Sequence, residues 1–369
     1  MFKPTAIPFI AGLVLMMGTG VAAASTSTVT FSKDINPPST KSFDISWVEN
    51  STGIDFVADR TNNAVDMIDA PSDTFLGYIA QGQFTGTGPR PCTAPGNSHA
   101  CGGPNGVLTD SSHDVWAGDG NSTVKVLKPQ PNTGAAAVLA TIATGGTFRA
   151  DEMAYDPRDQ IVLVANDAEG FLTFIHAAGA SSSVETHFYY ADNTVGQPAT
   201  KAGFSTPGGG IEQPVWDPGT GLFYQALPAN SPSTQGRIDV FTASGSYVKS
   251  YTINGCTNGP TGLALGSNGA FLGACDNGAA VVEVHSGVTR SIVSGVGGAD
   301  EIWFNPGDHN FYLAISGGPN LGVVNGDNYH VVTVASGHGG HSVAAYAGNN
   351  QVFDPEKSGG GVAVYVSSN

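Results

Sequence analysis

Apolar and polar positions alternate along most of the chain in short runs with a period of two. Ile161 and Leu163, followed by Phe171, Thr173 and Ile175, show the pattern well. Such alternation predicts β-strands whose successive side chains point to opposite faces and pack in stacked sheets. No stretch of useful length carries a helical period. The strands come in groups built on one plan: an opening loop, an alternating strand, a short Asp/Asn/Gly/Pro turn, a second apolar strand, a polar turn and a third strand rich in Val and Ile. Seven such segments open at Phe43, Asn105, Asp151, Glu212, Thr261, Asp300 and His341.

The turns carry their own signal. In Asp156-Pro157, Asp217-Pro218 and Asn305-Pro306 the proline presets φ at the second turn position. The Asp or Asn before it can accept hydrogen bonds from the backbone ahead. The 51 glycines and 22 prolines suit many short strands joined by tight turns. Segments starting at intervals of roughly 40–60 residues are the spacing of four-stranded propeller blades. The reading is all-β: a single closed β-propeller, seven-bladed, with four antiparallel strands per blade. The seventh segment shows only three strands before Asn369, whereas Ser27–Phe31 is a β-prone run without a segment of its own. This N-terminal strand is expected to complete the last blade, leaving no open sheet edge. The alternatives are an open solenoid or two separate β-sandwiches.

Val57-Ala58-Asp59, then Asn62-Asn63 and Val65-Asp66-Met67-Ile68-Asp69, resemble the YVTN pattern of β-propeller repeats. Pro104-Asn105-Gly106 and Pro260-Thr261-Gly262, each opening a segment, resemble the opening turns of NHL repeats. The resemblance covers nearly the whole chain after the first residues, at the level of repeat grammar. It implies a propeller fold and says little about activity, because propellers host many unrelated functions. Segments three, four and six depart from it by opening with acids instead of Pro-x-Gly.

Residues 1–24 read as a signal peptide: Lys3 is a minimal positive region, Pro8 to Met17 an apolar stretch too short to span a bilayer, and Ala22-Ala23-Ala24 a small-residue cleavage site. The propeller domain then covers residues 25–369, secreted or periplasmic. Four cysteines in an exported chain favour disulfides, here Cys92–Cys101 across a small Pro/Gly-rich loop and Cys256–Cys275 as a staple of one blade's inner hairpin. A metal site is the rival for the thiols, without close Cys-x-x-Cys spacing to support it. The formal charge of −16 is spread along the chain. It argues against nucleic-acid or membrane-surface partners and in favour of cations or neutral polar molecules. No other apolar stretch is long enough for membrane insertion.

Aligning the segments on their first turn gives two sets of equivalent residues. One is Phe43, Asn105, Asp151, Glu212, Thr261, Asp300 and His341. The next is Asp44, Gly106, Glu152, Gln213, Gly262, Glu301 and Ser342. The first strand of a propeller blade is innermost, so both sets should ring one mouth of the central channel. Converging carboxylates raise one another's pKa unless a cation compensates. Oxygen donors with one imidazole suit a divalent cation such as calcium, manganese or zinc. Asp151, Glu212, Asp300 and His341 are the candidate metal ligands, with Asn105, Glu152, Glu301 and Gln213 as candidate contacts to a small polar ligand. Water-filled polarity, with the acids capping nearby backbone N–H groups, is the plain alternative. His338 adds a second imidazole beside His341, in a Gly-rich loop. His113 and His309 fall in turns and are poor catalytic candidates.

No nucleophile elbow, phosphate loop or zincin motif occurs. The functional expectation is an exported propeller that binds a small polar ligand or divalent cation without turnover. The alternative is a metal-dependent hydrolase, lactonase-like as in the gluconolactonase propellers, or a lyase using a channel metal. Two long connections, Gly82 to Gly103 and Tyr189 to Gly210, precede segment openings and are expected to form a rim at the same mouth.

Overall fold

A computed structural model describes residues 28–37, 40–88, 92–93, 100–231, 233–315, 320–336, 340–356 and 361–368. The signal-peptide stretch, Ser27 and His338 lie outside the described residues. The strands form seven four-stranded antiparallel sheets. Each of blades 1 to 6 uses four strands consecutive in sequence, from Phe43–Glu49 inward in blade 1 to Val331–Ser336 outward in blade 6. Blade 7 takes Ala344–Tyr346, Gln351–Pro355 and Val362–Ser368 from the C-terminal end. Its outer strand is Thr28–Ile35 from the N-terminal end, paired from Thr28↔Ser368 to Ile35↔Val362. Each innermost strand contacts those of the blades before and after it, and blade 1 meets blade 7, so the ring is closed.

The period-two pattern has a direct physical reading. Along Asn310–Ile315 of blade 6, Phe311, Leu313 and Ile315 pack against blade 5, while Tyr312 and Ala314 pack against blade 7. In blade 5, Ala270, Leu272 and Ala274 face blade 6, and Phe271 and Cys275 face blade 4. Both faces of each sheet are therefore covered, which is why middle strands read as nearly continuous apolar runs. The core is a ring of inter-blade layers, not one central cluster.

The turn chemistry is as expected from the sequence. Asp156 accepts from the Arg158 amide at 2.8 Å, Asp217 from Gly219 at 2.8 Å, and Asn305 from Gly307 at 3.1 Å. Both disulfides form: Cys92–Cys101, and Cys256–Cys275 with 19 residues of separation. The second ties the loop ahead of blade 5 to the end of Ala270–Cys275, so it joins a lead-in loop to a strand and does not lie within the hairpin. Two disulfides suit an oxidising compartment. Among the described residues, no helix is long and apolar enough to cross a membrane.

Candidate functional site at the charged mouth

Two backbone hydrogen bonds recur at the start of each regular inner strand. Asp151 N donates to Ala165 O and Ala165 N to Glu152 O, both at 2.9 Å. The same exchange joins Asn105 and Gly106 to Gly118, Glu212 and Gln213 to Ala226, and Thr261 and Gly262 to Ala274. The two aligned sets are thus structurally equivalent in four blades. In blades 1 and 6 the pairing shifts, between Phe43 and Ser46 and between Ala299 and Ile302. An extra residue in one strand of a pair re-aims the side chains around it. Phe43 turns into the core beside Val57 and Phe353, and Asp44 takes the mouth position instead.

The mouth is a cavity of about 210 Å³ lined by Asp44, Arg60, Arg149, Asp151, Glu152, Asp167, Glu212, Asp300 and His341. All four candidate metal ligands line it. Asn105 lies beside it, buried, accepting from Arg60 Nε at 3.1 Å and donating to Ala150 O at 3.0 Å. Glu152 and Glu301 form the next layer inward with Gln213. The Gln213 side chain accepts from Leu263 N at 2.6 Å and donates to Ile302 O at 3.1 Å, stitching blade 4 to blades 5 and 6. Thr261 is turned to the next blade, donating to Ala299 O at 2.9 Å.

Arg60, Arg149 and Asp167 do not stand in either aligned set. Arg60 follows Ile54–Asp59 directly, and Asp167 follows Ile161–Asn166. Each second strand runs antiparallel to the first, so its end arrives beside the first strand's beginning. The residue just after the second strand was the signal available in the sequence. Arg149 lies two positions ahead of Asp151, on the lead-in loop, where its amide donates to Ala100 O at 2.9 Å. That bond brings the first long connection to this mouth. The second reaches it through Ile211 N, which donates to Asp167 Oδ1 at 3.1 Å.

The charges are laid out as an alternating network. His341 lies between Asp44, 2.8 Å from Nε2, and Asp300, 2.6 Å from Nδ1. Arg60 pairs with Asp44, and Arg149 pairs with Asp151 and reaches Asp167 at 3.8 Å. Burial alone would raise the Asp44 carboxyl, but Arg60 and His341 hold it well below the usual carboxylate range. Burial would lower His341, yet Asp300 and Asp44 push it up to about 10, so the imidazole is a cation at neutral pH. Burial drives Asp151 up to about 7 against the pull of Arg149. Glu212 is raised by burial and by Asp167 and Asp300. Glu152 is raised by burial and by Glu301, which itself rises to about 8 through burial although its hydrogen bond with Glu152 lowers it.

The compensating cations anticipated for converging carboxylates are thus the protein's own. Asp151 and His341 are already engaged by Arg149, Asp300 and Asp44. Among the described residues, no group of three or more His, Cys, Asp or Glu side chains is arranged to hold a metal ion. Outside the mouth, His113 sits in a turn against Glu49, and His309 is 3.5 Å from Asp327 at the surface.

This architecture defines a seven-bladed β-propeller with a charged channel mouth. No protein-family model matches the chain. No curated protein matches it in sequence. Solved structures match in fold. The WD40 β-propeller domain of Doa1 superposes with a TM-score of 0.63 at 13% identity, over 93% of this chain and 97% of that one. A chain of hydrazine synthase from Kuenenia stuttgartiensis gives 0.65 at 12% identity, over 90% and 96%. A chain of the mitotic checkpoint complex gives 0.64 at 10% identity, over the full length of both. These likenesses concern the propeller fold alone. They match the ring and do not single out the YVTN or NHL repeat types.

Proposed function

We propose that this chain is an exported binding propeller that takes a small polar molecule, neutral or cationic, into the charged mouth without turning it over. The observation that carries the reading is the charge balance of an enclosed cavity: six carboxyl groups face three cationic side chains. Asp151 Oδ1 and Glu152 Oε2 are buried acceptors without a hydrogen-bond partner. Buried acceptors left unpaired are costly, and a ligand rich in hydroxyl or ammonium donors would relieve them. An anion would have to displace Asp44 or Asp151 from its arginine. A divalent cation is the weaker occupant, because Asp151 and His341 already hold partners within the protein. With no free nucleophile–base pair in the network, binding is favoured over hydrolysis or elimination. Ala100 and Gly210, from the two long connections, lie beside residues of the cavity.

The test is thermal denaturation and calorimetry of the mature protein against neutral sugars, amino sugars and diamines, and separately against calcium, manganese and zinc chlorides. A fitting donor-rich ligand at a hundred times its Kd should stabilise the fold by about 2.7 kcal/mol. Glu212→Gln should weaken that ligand at least tenfold. One equivalent of tightly held metal, lost in Asp151→Asn, would replace the organic ligand with an ion. Failure of every compound and every metal to shift the transition would overturn the binding function.

A further inference from the structure

The other end of the channel is chemically the reverse of the charged mouth. A cavity of about 620 Å³ opens where the innermost strands finish, walled largely by apolar and aromatic side chains. Trp47, Tyr155 and Trp216 stand four residues after Phe43, Asp151 and Glu212, so the repeat itself delivers them to this end. Trp303 joins them from blade 6, its ring 5.1 Å from that of Trp47 in an edge-to-face contact. One face of Trp216 is covered by Arg158, whose guanidinium carbon lies 4.9 Å from the ring centroid. Three of the chain's four tryptophans therefore gather on one concave surface. All are only partly buried, in a fold whose other large aromatics are mostly in the core.

The floor is polar. Glu152 and Glu301 close the cavity from the channel side, 6% and 3% exposed, with Gln213 beside them. Gln213 is fully engaged by the backbone of blades 5 and 6. The two carboxyls are hydrogen-bonded to each other, and Glu152 Oε2 has no further partner among the described residues. Among the described residues, no Lys or Arg side chain lines this cavity, unlike the mouth on the other side. An apolar pocket with a few convergent polar groups is the usual form of a small-molecule site. Here the polar groups are carboxyls, whose ionised form an approaching cation favours, and electron-rich indole faces attract cations as well.

We propose that this aromatic mouth is a second binding site, for a cationic amphiphile: a ring-bearing apolar body carrying one primary amine or quaternary ammonium. The body lies against Trp47, Trp216 and Trp303, and the cationic head points inward to Glu152 and Glu301. A cationic head held beside the two carboxyls favours the ionised form of one of them, which matches a monocation. The concave, floor-closed shape selects a small molecule over a protein surface. This site opens at the opposite end of the channel and shares only Glu152 with the charged mouth, so it does not depend on the function proposed there.

Tryptophan fluorescence reads this site selectively, because no tryptophan lines the charged mouth. The probes are 2-phenylethylamine and benzyltrimethylammonium, with 2-phenylethanol as the neutral analogue and phenylacetate as the anion. Both cations should quench or shift the emission at concentrations at least tenfold below those needed for 2-phenylethanol, with phenylacetate weakest. Glu301→Gln should bring the cations down to the level of the alcohol, and Trp303→Leu should weaken all probes about tenfold. If Glu301→Gln fails to fold, Glu152→Gln carries the same test, and the ranking of probes on the unmodified protein stands without any variant. Equal binding of amine and alcohol, a cation preference untouched by the Gln variants, or no response to any probe at millimolar concentration would overturn the proposal.

Discussion

His341 donates from Nε2 to Asp44 Oδ1 at 2.8 Å across 297 positions of sequence, joining the inner strands of the last and first blades at the channel mouth. The contact lies where the ring closes, and the same Asp44 also holds Arg60. One carboxylate thus balances two cations from different blades.

Removing that carboxylate leaves both cations facing each other. Asp44→Ala should cost about 3–5 kcal/mol, the usual penalty for breaking a buried ion pair. His341→Ala should cost less, about 1–2 kcal/mol, because the imidazole is 25% exposed and Asp44 keeps Arg60. Urea denaturation of the two single variants and the double variant measures this. The double should lose less than the sum, since the residues share one network.

Blade 1 carries a buried carboxyl that favours acid. Asp55 is fully buried and accepts from Ser46 Oγ at 2.8 Å, while its other oxygen has no partner. Burial drives it up to about 7, against the lowering effect of Ser46. A carboxyl raised in the folded state contributes stability that is fully present below its unfolded pKa, near 4, and lost as pH rises through 7. Asp55→Asn should therefore be more stable than the parent at pH 8, by about 2 kcal/mol, and no more stable at pH 4. Melting curves at both pH values decide it.

Gly106 sits where two inner strands come closest. A Cβ there would lie 2.1 Å from the carbonyl oxygen of Asp151 on the next blade, so blades 2 and 3 would have to part. Gly106→Ala should cost about 1–3 kcal/mol. It should also weaken any ligand of the charged mouth, since Asp151 and Asn105 move with those strands. Paired melting and binding measurements test both effects.

The strand that closes the ring can be disabled by one residue. Val29 is 5% exposed and packs with Tyr312, Val352 and Tyr365. Val29→Asp buries an unpaired charge and should cost about 3 kcal/mol or more. An opened ring exposes two sheet edges, so light scattering should show association well below the parent's melting temperature.

Replacing Cys256 and Cys275 together by Ser should cost about 3 kcal/mol, the loop-closure value for a loop of this length. Reducing agent should act equally on the parent and have no further effect through this bond in the variant. Denaturation with and without dithiothreitol provides the comparison.

Much of the fold was legible because its determinants are local. Strand alternation, Asp-Pro turns and segment spacing involve residues within a few tens of positions, and Thr28–Ile35 needed a partner that only the last segment lacked. Six of the mouth residues followed from the same repeat: Asp44, Asp151, Glu152, Glu212, Asp300 and His341. What no residue pattern announced is the bulge in blade 1 that turns Phe43 into the core and gives its place to Asp44. Arg60, Arg149 and Asp167 were not anticipated, because they stand outside the first strands on which the alignment was built.

The amino-acid order by itself determined a sevenfold strand repeat, its turns, its cysteine pairs and a concentration of acids at strand openings. Those properties reside in short segments and repeat in each. Tertiary structure alone decided which acids are paired with arginine, which keep unsatisfied oxygens, and that the far mouth gathers indoles around a carboxyl pair. These outcomes depend on side chains from several blades meeting at a common axis, where distance and burial set the charge, and no single segment contains that information.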